Sequence, residues 1–283
     1  DQVANVLRDS KALDQSMQTL RDLVNNQNVI HSTSNYFNED STQKNTYDNA
    51  IDNGSTYITG QHNSELNKST IDQTISQINT AKNDLHGAEK LQRDKGTANQ
   101  EIGQLGYLND PQKSAEESLV NGSNTRSEVE EHLNEAKSLN NAMKQLRDKV
   151  AEKTNVKQSS DYINDSTEHQ RGYDQALQEA ENIINEIGNP TLNKSEIEQK
   201  LQQLTDAQNA LQGSHLLEEA KNNAITEINK LTALNDAQRQ KAIENVQAQQ
   251  TIPAVNQQLT LDREINTAMQ ALRDKVGQQN NVH

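Results

Sequence analysis

Residues 129–150 read V-E-E-H-L-N-E-A-K-S-L-N-N-A-M-K-Q-L-R-D-K-V. No glycine or proline interrupts the chain between Arg126 and Val156. Because an α-helix has 3.6 residues per turn, side chains spaced three or four residues apart share one face. The apolar residues of this stretch have that spacing: Val129, Leu133, Ala136, Leu139, Met143, Leu146 and Val150. The stretch therefore predicts one long amphipathic helix.

The second half of this helix occurs three times. L-N-N-A-M-K-Q-L-R-D-K-V at 139–150 is matched by L-D-Q-S-M-Q-T-L-R-D-L-V at 13–24 and by I-N-T-A-M-Q-A-L-R-D-K-V at 265–276, each 126 residues from the next. The chain is therefore expected to hold two full repeat units and to start and stop inside copies of the same helix, as an excerpt of a longer array. Its opening, D-Q-V-A-N-V-L-R, does not have the pattern of a signal peptide.

The composition favours an all-α protein. Hydrophobic residues make up only 31% of the chain, which suffices if each helix buries a narrow stripe. With 11 glycines and three prolines, the chain has little material for β-hairpins or glycine-rich phosphate loops. The absence of cysteine excludes disulfides and thiolate chemistry.

The charge of the chain bears on its partners. A formal net charge of −14 argues against nucleic acid and against an anionic membrane surface, since both would be repelled. No run of about 18 apolar residues occurs, so no insertion of this segment into a membrane is expected.

A second helix in each unit carries most of the aromatic side chains. The stretches 34–60 and 160–187 hold six of the seven aromatic residues of the chain. We expect one helix in each stretch, with its tyrosines in the bundle core and their hydroxyl groups at the rim.

The repeated L-N-K-S at 66–69 and 192–195 predicts the start of a third helix, capped by Asn67 or Asn193. Glu196 has the spacing of a capping box with Asn193. The apolar register continues past Gly87 and Gly213, which could end the helix but cost only about 1 kcal/mol inside it. A bent or continuous helix is therefore expected at both glycines.

The next boundary is marked by L-N-D-P-Q at 108–112 and L-N-D-A-Q at 234–238. In both, an asparagine stands three residues before a glutamine, which predicts a capping box and a short helix to about Val120 and Val246.

The predicted helices form three-helix bundles that share the long helix. An odd number of antiparallel helices returns the chain at the far end of each bundle, so an elongated rod is expected. The expected modules are 1–87, whose entering helix is 1–30, then 88–138, 139–213 and 214–264, and 265–283 as the first helix of an incomplete third unit.

Residues with catalytic or metal-binding chemistry are scattered. No spacing typical of a zinc site, a nucleophile elbow or a phosphate loop occurs, so we expect no catalytic, metal or cofactor site. The charges of L-R-D-K-V, such as Arg147, Asp148 and Lys149, are expected to form a solvated face. The histidines have no shared pattern: His31, His62, His86, His132, His169, His215 and His283.

The repeated motifs resemble two known modules. The tyrosine-bearing helices followed by L-N-K-S-x-I look like the FIVAR module, at 1–87 and 139–213. The pattern L-x-x-A-K…I-x-x-L-x-x-L-N-D-x-Q looks like the GA module, at 88–138 and 214–264. Alternation of the two every 126 residues is similar to the family of giant staphylococcal extracellular-matrix-binding proteins.

The resemblance implies a non-enzymatic, cell-wall-associated surface protein, with fibronectin as the matrix ligand associated with FIVAR and albumin as the ligand for which GA is named. Albumin is doubtful, because the second GA-like helix here is short and polar. No ligand-binding residue can be carried over from the family. The expected function is a monomeric adhesin segment with weak, multivalent matrix contacts; the alternative is a structural spacer or envelope-bracing stalk without a ligand on this segment.

Overall fold

The computed structural model describes residues 2–60 and 65–280, and every regular element within these residues is an α-helix. The all-α prediction is confirmed. None of these helices combines the length and the apolar character needed to cross a membrane. The chain divides into two compact units, Asp1–Ser138 and Leu139–His283.

The helices of the first repeat are α1 (Gln2–Asn25), α2 (Gln27–His31), α3 (Ser34–Phe37), α4 (Ser41–Thr59), α5 (Lys68–Asn83), α6 (Gly87–Gly103) and α7 (Asp110–Gly122). Those of the second repeat are α8 (Arg126–Ala151), α9 (Lys153–Gln158), α10 (Ser160–Ile163), α11 (Thr167–Asn185), α12 (Lys194–Asn209), α13 (Gly213–Asn229), α14 (Asp236–Gln247) and α15 (Ile252–Asn280). Helices α7 and α14 end at Gly122 and Gln247, within two residues of the predicted ends at Val120 and Val246.

The first unit contains two three-helix cores. In one core α1, α4 and α5 pack against one another and bury Leu20, Ile30, Tyr47, Ile51, Ile71, Ile78, Ala81 and Leu85. In the other core α6, α7 and the first half of α8 bury Leu91, Ala98, Ile102, Val120, Val129 and Ala136. Each helix contributes only one apolar stripe, which explains how a chain poor in hydrophobic residues builds these cores.

The second unit has the same organisation. α11 packs against α12, and α13, α14 and α15 pack against one another. The last three helices bury Leu217, Ala224, Ile228, Ala242, Val246 and Val255. The second half of α8 buries Leu139, Met143 and Leu146.

Both predicted capping boxes are present. The Asn109 side chain accepts a hydrogen bond from the Gln112 N–H at 2.8 Å, and the Gln112 side chain accepts one from the Asn109 N–H at 3.1 Å. Asn235 and Gln238 repeat this exchange at 2.8 Å and 3.0 Å. The start of these helices is therefore encoded by local hydrogen bonds.

The predicted caps at Asn67 and Asn193 are also present, because both side chains accept hydrogen bonds from the first turn of α5 or α12. Glu196 has another role. Its carboxylate accepts a hydrogen bond from the Thr191 hydroxyl at 2.8 Å, in the loop before α12.

The expectation of a bent or continuous helix through Gly87 and Gly213 is wrong. α5 ends at Asn83 and α12 at Asn209, and the two glycines are the first residues of α6 and α13. In the first unit, Leu85 belongs to the first core and residues from α6 onward belong to the second. The helical spacing of apolar residues continues across the break because the helix on each side of it buries one apolar face.

The entering helix ends earlier than the predicted residue 30, because α1 ends at Asn25, whereas α8 ends at Ala151, one residue past the predicted stretch 129–150. A second short helix follows each after one residue. At Asn26 and Glu152 the ψ angles are −3° and −13°, so one turn is tightened. No glycine or proline lies at these positions, and the spacing of the apolar residues alone could not reveal the break.

The expected tyrosine helices are likewise broken. Residues 38–40 separate α3 from α4, and residues 164–166 separate α10 from α11. The short segments α3 and α10 each contact the helix that opens the next core, α6 or α13.

Candidate functional site

The histidines form separate pairs with carboxylates. His62 and His283 lie outside the described residues. Within residues 2–60 and 65–280, no group of three or more histidine, cysteine, aspartate or glutamate side chains could hold a metal ion. The pairs are His31 with Asp48, His86 with Glu89, His132 with Glu135, His169 with Asp165 and His215 with Glu219.

A tyrosine–aspartate cluster recurs in both repeats. The Tyr36 hydroxyl donates to Asp48 Oδ2 at 2.7 Å, and the Tyr162 hydroxyl donates to Asp174 Oδ2 at 2.9 Å. Burial and the hydrogen bond to Asp48 raise the pKa of Tyr36 to about 12, so the phenol acts as a donor and not as a base.

The cluster includes a fully buried tyrosine and a nitrogen-bearing side chain in each repeat. Tyr47 and Tyr173 are 1% exposed, which confirms the tyrosines as part of the core. The nitrogen belongs to His31 in the first repeat, where Nε2 lies 2.8 Å from Asp48 Oδ1, and to Lys157 in the second, where Nζ lies 2.9 Å from Asp174 Oδ1. These contacts hold the tyrosines and their aspartate partners within the bundle.

In each unit one helical glycine packs closely against backbone where the two cores meet. A methyl group on Gly87 would lie 2.6 Å from Ser34 O, Asn38 C and Glu39 N. At Gly213 the corresponding distances, to backbone atoms of the α10 region, are 2.5 to 2.7 Å. Only glycine permits this approach without displacing backbone, so both positions require it. We call this contact region the module junction.

A buried asparagine completes each module junction. Asn38 Nδ2 donates to the Asn124 carbonyl at 3.0 Å, and Asn38 Oδ1 accepts from the Arg126 N–H at 3.0 Å. In the second unit Asn164 forms the same two bonds with the turn between α14 and α15, at 3.1 Å and 2.9 Å. One amide side chain therefore satisfies both a donor and an acceptor of a turn 86 or 88 residues away.

A buried carboxylate follows each asparagine. The side chains of Glu39 and Asp165 are 0% exposed. Burial alone would raise the pKa of Glu39, but hydrogen bonds from Lys90 and from backbone N–H groups, including that of His86, lower it below its ordinary value. Asp165 accepts from the N–H group of Gln212 at 2.7 Å. In both units the carboxylate binds the backbone just before the glycine.

The two module junctions differ in their outer contacts. In the first unit Arg126 bridges Asp40 at 2.7 Å and Asp94 at 2.6 Å. In the second unit apolar residues replace the charged ones: Leu216, Ala220 and Ile252 stand where the first repeat has Lys90, Asp94 and Arg126. The backbone contacts are repeated, whereas the peripheral ion pairs belong to one unit.

The charges of L-R-D-K-V divide into two groups. Asp148 is exposed and pairs with Lys144 at 2.6 Å, one turn away, as a solvated face predicts. Lys149 has only 17% of its side chain exposed and pairs with Glu152 at 2.9 Å. Arg147 is half-buried, and burial lowers its pKa. The prediction of a solvated face is therefore wrong for the arginine and the lysine.

The third copy of this motif shows what its polar residues contact. Arg273 Nη1 donates to the Thr232 carbonyl at 3.2 Å. Asn266 Oδ1 accepts from the Ala233 N–H at 2.9 Å. Both partners lie in the loop between α13 and α14, so the second half of α15 binds a loop of the core that its first half helps to form. Helical spacing cannot identify such a partner, because the loop is more than 30 residues away in the sequence.

Two open grooves among the described residues occupy different positions in the two repeats. One groove, of about 480 Å³, lies between α4 and α5 and is lined by Thr46, Asn49, Ala50, Asn53, Ser76 and Thr80. Another, of about 590 Å³, lies in the second unit and is lined by Glu152, Asn155, Ser159, Asp161, Gln208 and Asn209. Neither groove identifies a repeated ligand site.

Comparison with protein families identifies both repeated modules. The FIVAR domain matches residues 16–86 and 142–212, and the GA module matches residues 88–142 and 214–268. The two kinds of module alternate along the chain, and neither is an enzymatic domain.

Curated relatives carry the same repeat. Extracellular matrix-binding protein EbhA of Staphylococcus aureus (strain Newman) is 37% identical over 279 residues, which cover 99% of this chain and 8% of that protein. Extracellular matrix-binding protein ebh of Staphylococcus aureus (strain USA300) is also 37% identical over 279 residues, which cover 99% of this chain and 3% of that protein. The chain thus spans less than a tenth of the length of these relatives.

A solved structure supports the fold. The crystal structure of the 756–1003 domain of EbhA from Staphylococcus aureus matches 87% of this chain and 98% of that chain, with a TM-score of 0.79 and 25% identity. The likeness covers the alternating three-helix cores.

Proposed function

Since this chain belongs to the family of matrix-binding proteins that alternate FIVAR domains with GA modules, we propose that it is a repeat segment of a cell-wall-associated adhesin that binds extracellular matrix. The observation that carries the proposal is the repetition of one FIVAR–GA unit in a chain whose relatives are named for matrix binding. The segment acts as a monomer outside the cell and performs no enzymatic reaction.

Weak multivalent binding suits this architecture. These two grooves are open and do not enclose a ligand, so each contact is expected to be weak. Linked sites raise the apparent affinity by roughly 10² to 10⁴-fold without any new contact, provided that the sites can bind at the same time. A repeat of 126 residues supplies such linked copies.

Fibronectin is the first ligand to test, because the resemblance to FIVAR implies it. Albumin is doubtful. The second GA helices, α7 and α14, are short and have mostly polar exposed faces, and Leu119 is the large apolar residue that α7 exposes, at 41%. One half-exposed leucine does not form the apolar contact face that a tight helical interface needs.

A structural spacer is the second candidate, and the module junctions favour it. The paired bonds of Asn38 and Asn164 and the close approach at Gly87 and Gly213 hold each FIVAR domain to the GA module that follows it. Such a segment could transmit load or separate other domains without binding a ligand.

Binding to immobilised fibronectin separates the two candidates. The chain is applied to the sensor once as a monomer and once as a biotinylated chain displayed on tetrameric streptavidin. The adhesin predicts weak binding by the monomer and an apparent affinity at least 100-fold higher for the tetravalent form. Immobilised albumin and streptavidin alone are the controls. If neither form binds fibronectin more than albumin, the fibronectin proposal fails and the spacer is favoured.

A further inference from the structure

Each GA module buries one carboxyl group, and the two modules place it on different helices. In the first module Glu116 of α7 is 2% exposed and Ala136 of α8 is 0% exposed. In the second module the positions are exchanged, because Ala242 takes the place of Glu116 and Asp262 takes the place of Ala136. Asp262 is 3% exposed. Both cores thus keep one acid and one small residue at the same pair of repeat positions.

Glu116 lies in an environment that disfavours its charge. Its Oε2 atom is buried and has no hydrogen-bond partner. α8 brings Glu135 and His132 near it, α6 contributes the apolar residues of the core, and Lys113 of its own helix instead donates to the Gly103 carbonyl. Burial and the repulsion of Glu135 raise the pKa of Glu116 to about 7, against a smaller opposite effect of His132.

Asp262 is in a similar environment. Its Oδ1 atom accepts a hydrogen bond from Gln258 at 3.1 Å, and its Oδ2 atom is buried without a partner. Burial raises its pKa, and the bond from Gln258 offsets part of this effect. The nearest charged neighbour on its own helix, Arg263, is bound to Glu227 of α13. The buried apolar side chains that α13 and α14 contribute to this core are Leu217, Ala224, Ile228, Ala242 and Val246.

We propose that the buried carboxyl group of Glu116 makes the first GA module more stable in mildly acidic than in neutral solution, and that Asp262 gives the second GA module a pH dependence of the same sign. Although acid and alanine exchange helices between the two modules, each core keeps one buried acid. A core that only had to be filled with apolar side chains would not need this acid.

The direction follows from proton binding. In the unfolded chain Glu116 ionises near its ordinary pKa of 4.5, whereas in the folded module it holds its proton to about pH 7. Between these values the unfolded state binds fewer protons than the folded state, so stability falls as the pH rises. For Glu116 the unfolding equilibrium constant of the module is expected to increase on the order of 40-fold from pH 5 to pH 7.

Hydrogen exchange in the whole chain tests this proposal. The opening constants of α7 and of residues 126–138 are measured by mass spectrometry at pH 5, 6 and 7, after correction for intrinsic exchange rates. We expect greater opening at pH 7 in the wild-type chain, and Glu116→Gln should remove most of this pH dependence because the amide stays neutral. The control is Glu131→Gln, which changes an exposed glutamate of α8 and should retain the dependence.

A carboxyl titration gives a second readout that does not require a variant to fold stably. The carbon-13 signal of the Glu116 carboxyl group should titrate with a midpoint near 7 in the wild-type chain. A midpoint near 4.5, or the same pH dependence of opening in wild type and Glu116→Gln, would overturn the proposal. Asp262→Asn extends the same comparison to the second module.

Discussion

Gly87 and Gly96 are nine residues apart in the same helix, and they differ in what surrounds them. A methyl group on Gly87 would meet three backbone atoms at 2.6 Å, whereas one on Gly96 would meet nothing within 4 Å. The first position needs glycine because two backbones touch there, and the second does not. A glycine in a helical pattern can therefore be either required or replaceable. The backbone that packs against it from elsewhere in the chain decides which.

Replacing these glycines by alanine should give effects of opposite sign. Gly87→Ala forces the α3 backbone away from α6 and should lower the free energy of unfolding by about 1–3 kcal/mol. Gly96→Ala, the control in the same helix, should raise it by about 0.5–1 kcal/mol, because alanine restricts the unfolded chain and suits a helix. Urea unfolding followed by circular dichroism measures both. Equal effects of the two variants would contradict the close packing at Gly87.

The side chain of Asn38 connects the short helix α3 to a distant turn. It follows α3, a helix of only four residues, and binds the turn between α7 and α8 through both atoms of its amide. So short a helix has little stability of its own, since four residues form barely one turn. The amide bonds and the glycine contact are what hold it in place.

Asn38→Ala should therefore loosen the module junction. Loss of the two buried hydrogen bonds is expected to cost about 1–3 kcal/mol, because the turn keeps a donor and an acceptor without these partners. Hydrogen exchange of residues 123–128 should increase more than that of α4 and α5. Asn49→Ala, at an exposed position of α4, is the control and should change stability by less than about 0.5 kcal/mol. Unchanged exchange at the turn would show that Asn38 is not needed to hold it.

At the scale of the molecule, α8 is the element that both units use. It runs without interruption from Arg126 to Ala151, and the division between the units falls after Ser138. Its first half buries Val129 and Ala136, and its second half buries Leu139, Met143 and Leu146. The sharing of a long helix between modules, the rod-like shape and the module limits stay predictions.

A proline in the middle of α8 should affect both units. Leu139→Pro removes a helical hydrogen bond and introduces a steric clash worth about 3 kcal/mol or more. We expect faster hydrogen exchange on both sides of the substitution, in residues 126–137 as well as 140–151. Leu139→Ala is the control, since it removes the buried side chain but keeps the helix, and it should affect residues 126–137 much less. Identical exchange patterns for the two variants would show that helix continuity does not link the two halves.

Much of the fold could be predicted, but the breaks in the helices could not. The repeat, the helical faces and the caps at Asn67, Asn109, Asn193 and Asn235 follow from spacing and from bonds that span a few residues. The end of α1 at Asn25 depends on a tightened turn without a marker residue. No site residue was predicted, and Asn38, Glu39 and Arg273 gave no local signal that could have identified them.

The sequence by itself determined an all-α chain with a repeat of 126 residues, because helical periodicity and capping act over one or two turns. Only the tertiary structure decided which glycine permits a backbone contact, which asparagine binds a distant turn and which acid is buried. These roles depend on groups that are far apart in the chain and meet only after packing, where burial and hydrogen bonding change what a side chain can do. In Glu116 this difference separates an ordinary surface charge from a buried acid with a pKa of about 7.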